Sequence, residues 1–205
     1  GRTRHPQSDG LSPMTTRFEE RLNQILPRLV SPDVLSNQGA GGEIGFWIFD
    51  YPPEEEMAMR AWLADVIEPG LRKQVPAVRF QTVDLFQLVT DLLDERKLFD
   101  KACEMQANKG DAAVLASLRS VLKEDRLAAR MTEKLDVTQL DLLIVKGVGA
   151  VYPLLRTHTL LSALHPHMRN TPLLMLYPGT YNGQSLSLFN TLSDDNYYRA
   201  FRLVS

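Results

Sequence analysis

Asp50 closes the apolar run FWIFD, and an acidic residue at the end of a strand can hold a magnesium ion beside a bound phosphate. That chemistry also needs a glycine-rich loop between a strand and a helix, closed by lysine and a hydroxyl residue. The glycines of GAGGEIG (Gly39 to Gly45) instead precede a strand-like run, and no lysine follows them, so they read as a flexible connector. Without a phosphate loop, helix capping is the simpler role for Asp50. Nuclease chemistry would need several acidic groups and a lysine on neighbouring strand edges. Asp50 and Lys146 could meet that way, but no acidic-x-lysine motif accompanies them.

The stretch KGVGAVYP is better placed, because Gly147 and Gly149 lie between a buried strand and a helix, where open α/β sheets bind ligands. These two glycines are the anion-site candidates, with N–H groups near Val148 to Val151 as donors. The third glycine of a dinucleotide fingerprint is missing, as is the acidic residue about 20 positions later, so a tight turn is expected. His158, His165 and His167 raise the question of zinc, but His158 sits on an apolar helical face and His165-Pro166-His167 resembles a helix end, so no metal is expected. Cys103, the single cysteine, stands among helix formers and fits a small apolar group in a reducing cytoplasm.

Toward the C-terminus, Pro178-Gly179 and Asn182-Gly183 are turn formers, the second favouring a two-residue hairpin. Tyr197, Tyr198 and Arg199 combine contact area with directed hydrogen bonds, the composition of interface hot spots, and are the partner-contact candidates. No Ser-His-Asp or Cys-His set can be placed there, and no catalytic residue is assigned.

The elements that must position these groups alternate. Phe18, Leu22, Ile25, Leu26 and Leu29 give a first helix over Thr16 to Val30, and Ile44 to Asp50 suits a strand buried on both faces. Pro53 to Glu68 should form a helix burying Ala58, Trp62 and Val66 beside Met59, Leu63 and Ile67. Ala77 to Val83 reads as a strand, Asp84 and Gln87 have capping-box spacing, and Glu95 to Met131 is helical with a break at Lys109-Gly110. Gln139 to Gly147 is a further strand, Pro153 opens a helix, and PLLMLYPG is the fourth strand. Strands and helices in alternation predict a single-domain three-layer sandwich, with a mostly parallel central sheet flanked by helices. SLSLF and AFRLV would add short antiparallel or edge strands.

A chain of 205 residues can bury one substantial core. Its 44% apolar and 23% charged residues argue against disorder, and no apolar run approaches the length of a membrane span. A formal charge of -2 gives no general attraction to nucleic acid, so the line of Arg119, Lys123, Arg126 and Arg130 reads as one solvated helix face. Residues 1–15 are expected to be a disordered arm or cloning remnant, with Met14 the expected native start and residues 16–205 the single α/β domain.

GVGAVYPLLRTHTLLSAL (Gly147 to Leu164), TPLLMLYPGTYNGQSLSLF (Thr171 to Phe189) and DNYYRAFRLV (Asp195 to Val204) resemble the signature stretches of the BrxB family of bacterial BREX phage-defence systems. RFEERLNQIL and FWIFDYPPEEE resemble that family in type and placement, so the likeness spans nearly everything after Met14. The resemblance implies a cytoplasmic, non-enzymatic adaptor without a cofactor, whose partners are BREX proteins. The PglZ-like member of the alkaline-phosphatase superfamily comes first among them, followed by the AAA-type ATPase and the DNA-adenine methyltransferase. DNA would be met only through the complex. The alternative is a degenerate nucleotide- or nucleic-acid-binding domain, regulatory or weakly hydrolytic, built on Gly147, Gly149, Arg156 and the Tyr177 to Gly179 corner.

Overall fold

The computed structural model describes residues 16–36, 45–95, 98–183, 186–188, 192–193 and 200–205. The N-terminal arm, most of the glycine-rich connector, and Tyr197, Tyr198 and Arg199 lie outside the described residues, as does the side chain of Cys103.

Helix α1 (Arg17–Leu29) opens on a capping box. The Glu19 amide donates to Thr16 Oγ1 at 3.1 Å and the Thr16 amide to Glu19 Oε2 at 3.4 Å. A short α2 (Pro32–Leu35) follows, and then β1 (Phe46–Tyr51), in which all six residues are buried. That burial is what a continuous apolar run requires of a central strand.

Between β1 and β2 (Phe80–Asp84) the chain forms α3 (Glu56–Trp62), a π turn (Leu63–Ile67) and α4 (Glu68–Arg72). The expected helix is therefore longer than Pro53 to Glu68, and its buried stripe is Met59, Leu63, Ile67 and Leu71, while Ala58 is exposed. A stripe with a spacing of four drifts by about 40° per step on an α-helix, and the wider π turn takes up that drift. The cause lies one turn later, where Pro69 has no N–H to donate back to the preceding turn.

Next come α5 (Leu85–Glu95), α6 (Leu98–Lys109), α7 (Asp111–Val121) and α8 (Glu124–Lys134). The chain breaks at Gly110, as expected, and a second time at Leu122-Lys123. Of the four basic residues, Arg119 therefore sits on α7, Lys123 in the break, and Arg126 and Arg130 on α8, so they do not share one helix face. Arg130 pairs with Glu95, tying α8 to α5 and holding the Glu95 carboxylate below its usual pKa. β3 (Leu142–Lys146) leads to a 3₁₀ turn (Gly149–Val151) and α9 (Thr157–Met168). Pro153 does not open that helix, because Leu154 and Leu155 still donate to the Val151 carbonyl.

β4 (Leu173–Tyr181) runs straight through Pro178-Gly179, which therefore makes no turn. Tyr181 pairs with Leu186 of β5 (Leu186–Leu188), so Asn182-Gly183 alone does not close the hairpin as a two-residue turn. β6 (Leu192–Ser193) pairs with β5, and β7 (Ala200–Arg202) returns to the main sheet. The main order is β2-β3-β4-β1-β7 with every neighbouring pair parallel, and β5 and β6 are antiparallel additions to the end of β4. AFRLV thus supplies an edge strand that is parallel.

Strict alternation sends residues of each strand to two separate clusters. Phe46, Ile48, Leu143, Val145, Leu173 and Met175 pack under α5, α8 and α9. Trp47, Phe49, Leu142, Ile144, Leu174 and Leu176 pack under α1, α3 and α4. The result is the expected helix-sheet-helix sandwich.

Arg169 joins α9 to β4 with φ 53° and ψ −116°, and the Thr171 amide reaches the Met168 carbonyl at 3.0 Å. These are the angles of the first central residue of a type II′ turn, which glycine occupies without strain. An exposed arginine there costs on the order of 1–3 kcal/mol. Arg169→Gly is expected to raise stability by about 1 kcal/mol in urea unfolding. A loss of stability would show that the arginine side chain has a structural partner.

Candidate functional site

Two groups of polar residues collect at the carboxyl ends of the strands, and they differ in character. The first surrounds Asp50, whose side chain is 5% exposed. Its carboxylate accepts from Arg21 Nη2 at 2.8 Å, from Arg202 Nη2 at 3.1 Å and from the Tyr181 amide at 3.0 Å. Arg21 also donates to the Asp50 carbonyl at 2.7 Å and lies over the Phe49 ring, 4.7 Å from its centroid. Burial pulls the Arg21 guanidinium below its ordinary pKa, opposed by the charge and hydrogen bond of Asp50.

Asp50 therefore caps no helix. It ties α1, β1, β4 and β7 together through charge-assisted bonds that use both of its oxygens. Tyr181 completes the joint, because its hydroxyl donates to the Ala200 carbonyl at 2.6 Å, and burial raises the pKa of that phenol. Sequence reasoning missed this role because the partners stand 29, 131 and 152 positions away.

The second group lines a crevice of about 300 Å³. Its floor is Leu176 of β4 with Met59 and Leu63 of the overlying helix. Its polar lining comes from Tyr51 at the end of β1, Glu56 and Arg60 of α3, Asp84 at the end of β2, and Lys146 at the end of β3. Glu56 accepts from the Tyr51 hydroxyl and from Arg60 Nε at 3.1 Å. Burial, then the bond to Glu56 and its charge, push the Tyr51 phenol well above its ordinary pKa, so it remains a donor. Asp84 Oδ1 accepts from the Phe86 amide at 3.0 Å, a local turn in place of a full capping box.

Asp84 and Lys146 are register partners, so the acid beside Lys146 is Asp84. Asp50 cannot take that place, since β4 separates β1 from β3 and alternation points Asp50 away from Tyr51.

Of the anion-site candidates, Gly147 lines the crevice, with φ +83°. Gly149 starts the 3₁₀ turn, whose Ala150 contributes to the wall. A Cβ on Gly147 would lie 2.4 Å from Asp84 Oδ1, so the glycine is required both by its dihedral and by the carboxylate beside it. Arg156 is elsewhere, donating its amide to Glu124 at 2.9 Å, and Tyr177 to Gly179 are buried in β4 rather than forming a corner.

The histidines do not converge. His165 packs edge-on against Phe46, with centroids 5.5 Å apart, while His158 Nε2 and Thr159 Oγ1 are 3.2 Å apart. Among the described residues, no group of three or more His, Cys, Asp or Glu side chains is placed to hold a metal ion. No helix among them is long and apolar enough to cross a membrane.

A parallel sheet covered by helices on both faces, with its polar groups gathered at the carboxyl edge, defines a doubly wound α/β protein. Residues 81–203 match the family model described as BREX protein BrxB. A BREX protein BrxB of Escherichia coli O9:H4 (strain HS) is 41% identical over 187 residues, 91% of this chain and 92% of that protein. Another, from Bacillus cereus (strain H3081.97), is 36% identical over 192 residues, 92% of this chain and 98% of that protein. The chain belongs to the BrxB family of BREX proteins. No solved structure matches it.

Breaking a buried ion pair by removing one charge costs about 3–5 kcal/mol, because the partner stays desolvated without a counter-charge. Asp50→Asn keeps an acceptor for the Tyr181 amide but neutralises both arginine contacts, and is expected to lower unfolding stability by about 3 kcal/mol. Gly147→Ala, by displacing Asp84, is expected to cost roughly 1–3 kcal/mol. Urea titration of each variant measures both values. A change below 0.5 kcal/mol, about the noise for neutral surface substitutions, would contradict either assignment.

Proposed function

We propose that this chain serves in BREX phage defence as a non-enzymatic adaptor, binding other BREX proteins and first among them the PglZ-like component. Family membership supports the setting. The adaptor role rests on three apolar side chains left exposed where the chain leaves consecutive strands. Met57 in the first turn of α3 is 72% exposed, Phe86 in the first turn of α5 is 51% exposed, and Tyr152 after the 3₁₀ turn is 44% exposed. They follow the carboxyl ends of β1, β2 and β3, so one edge of the sheet presents all three.

Large apolar groups beside charged ones make up the anchor-and-rim arrangement of protein interfaces, where a few residues supply most of the binding energy. The strongest acidic candidate, Asp50, is already committed to Arg21 and Arg202, which favours recognition over catalysis. Cytoplasmic operation alongside the ATPase and the methyltransferase, with DNA met only through the assembly, belongs to the same reading.

Co-expression with the PglZ-like protein, the ATPase and the methyltransferase, followed by affinity capture, tests it. The wild-type chain is expected to retain the PglZ-like protein. A Met57→Ser, Phe86→Ala, Tyr152→Ala triple variant should bind about a hundredfold more weakly at an unchanged melting temperature. If the wild type captures none of the three proteins, the adaptor role fails. If the triple variant binds as tightly as wild type, the proposed edge is the wrong surface.

A further inference from the structure

We infer that the crevice at the carboxyl edge is a binding site for a small ring-bearing organic phosphate of mononucleotide size. The inference rests on the crevice alone and does not need the adaptor reading.

Its formal charges balance, Lys146 and Arg60 against Glu56 and Asp84, but the hydrogen-bonding capacity left over is uneven. Glu56 is engaged by Tyr51 and Arg60, and Asp84 by the Phe86 amide. Lys146 has no hydrogen bond or ion pair among the described residues, although it is only partly exposed and stands in register beside Asp84. Arg60 spends its Nε on Glu56, and its two terminal nitrogens have no partner among the described residues. The crevice therefore offers an ammonium and the free end of a guanidinium, and both bind a phosphate through charge-assisted hydrogen bonds.

Placement and size add to this. Ligands of doubly wound sheets bind outside the carboxyl ends of the strands, at the point where chain directions diverge. Here β1 is followed by helices on one face, while β2 and β3 are followed by helices on the other. The positive φ of Gly147 followed by the helical angles of Val148 gives the turn conformation in which successive N–H groups form an anion-binding concavity. A volume of about 300 Å³ is at the low end for small-molecule sites, which favours a mononucleotide over a dinucleotide. Phe86 in the wall, with Leu176 and Met59 in the floor, offers apolar surface to a ring.

Isothermal titration of the full-length chain with AMP, GMP, CMP and UMP tests the assignment, with adenosine and inorganic phosphate as partial probes. At least one mononucleotide is expected to bind saturably below the millimolar range. Lys146→Met and Arg60→Gln should each weaken it about tenfold with the melting temperature unchanged, while Lys146→Arg retains it. The proposal is overturned if none of the four mononucleotides saturates, or if Lys146→Met binds as wild type does. Adenosine matching the best nucleotide would remove the anion from the assignment, and inorganic phosphate matching it would remove the ring.

Discussion

A carboxylate can be buried at the end of a central strand only if both of its oxygens are occupied, and the partners that occupy Asp50 set the closure of this fold. Arg21 comes from the first helix, Arg202 from the last strand, and the Tyr181 amide from the far end of β4. Three segments distant in sequence meet on one side chain, so the ends of the chain are held to the middle of the sheet by the same group. An isolated charge at 5% exposure would be very costly, and three charge-assisted bonds offset that cost while fixing one arrangement. The apolar contacts around it, such as Trp47 against Phe201 at 5.3 Å, do not discriminate direction to the same degree.

The order of the strands then determines which polar groups can cooperate. Because β4 enters between β3 and β1, Asp84 and Lys146 become neighbours and Asp50 is excluded from them. Alternation separates them further, placing Tyr51, Lys146 and Asp84 under α3 and turning Asp50 toward the clamp. One acid stabilises the frame, and another lines a crevice. Which does which follows from register rather than from residue type.

The sandwich itself was legible because it is encoded locally. FWIFD is too apolar and too short for anything but a doubly buried strand, and Leu22, Ile25 and Leu29 mark a helical face that packs as spaced. The BrxB signature stretches carried the family. The features misread were those set by contacts far away in sequence. Asp50 resembled a cap because its arginines are remote, and Pro178-Gly179 resembled a turn although the partner strand β1 holds Pro178 opposite Tyr51 in extended pairing. The π turn was written in the sequence all along, as an apolar spacing of four ahead of Pro69, but a search for α periodicity does not register it. Lys146 stands beside Asp84 and not Asp50, a neighbour set by strand order, which no local stretch of the sequence encodes.

The two halves of the carboxyl edge also differ in what they can tolerate. Around Asp50 both carboxylate oxygens have fixed counterparts from three separate segments, so a change there is felt through the whole closure. Around the crevice the polar groups bond through single contacts, Tyr51 to Glu56, Arg60 to Glu56 and Asp84 to one amide, leaving Lys146 without an ion pair among the described residues beside exposed Phe86. A surface that only maintained the fold would gain by pairing Lys146 with Asp84, its register neighbour, and by replacing Phe86 with a polar side chain. Neither has happened, and both departures fall where doubly wound sheets present their binding groups. The rigid clamp supplies the geometry, and the incompletely satisfied crevice beside it is where the chain has interaction energy left for another molecule.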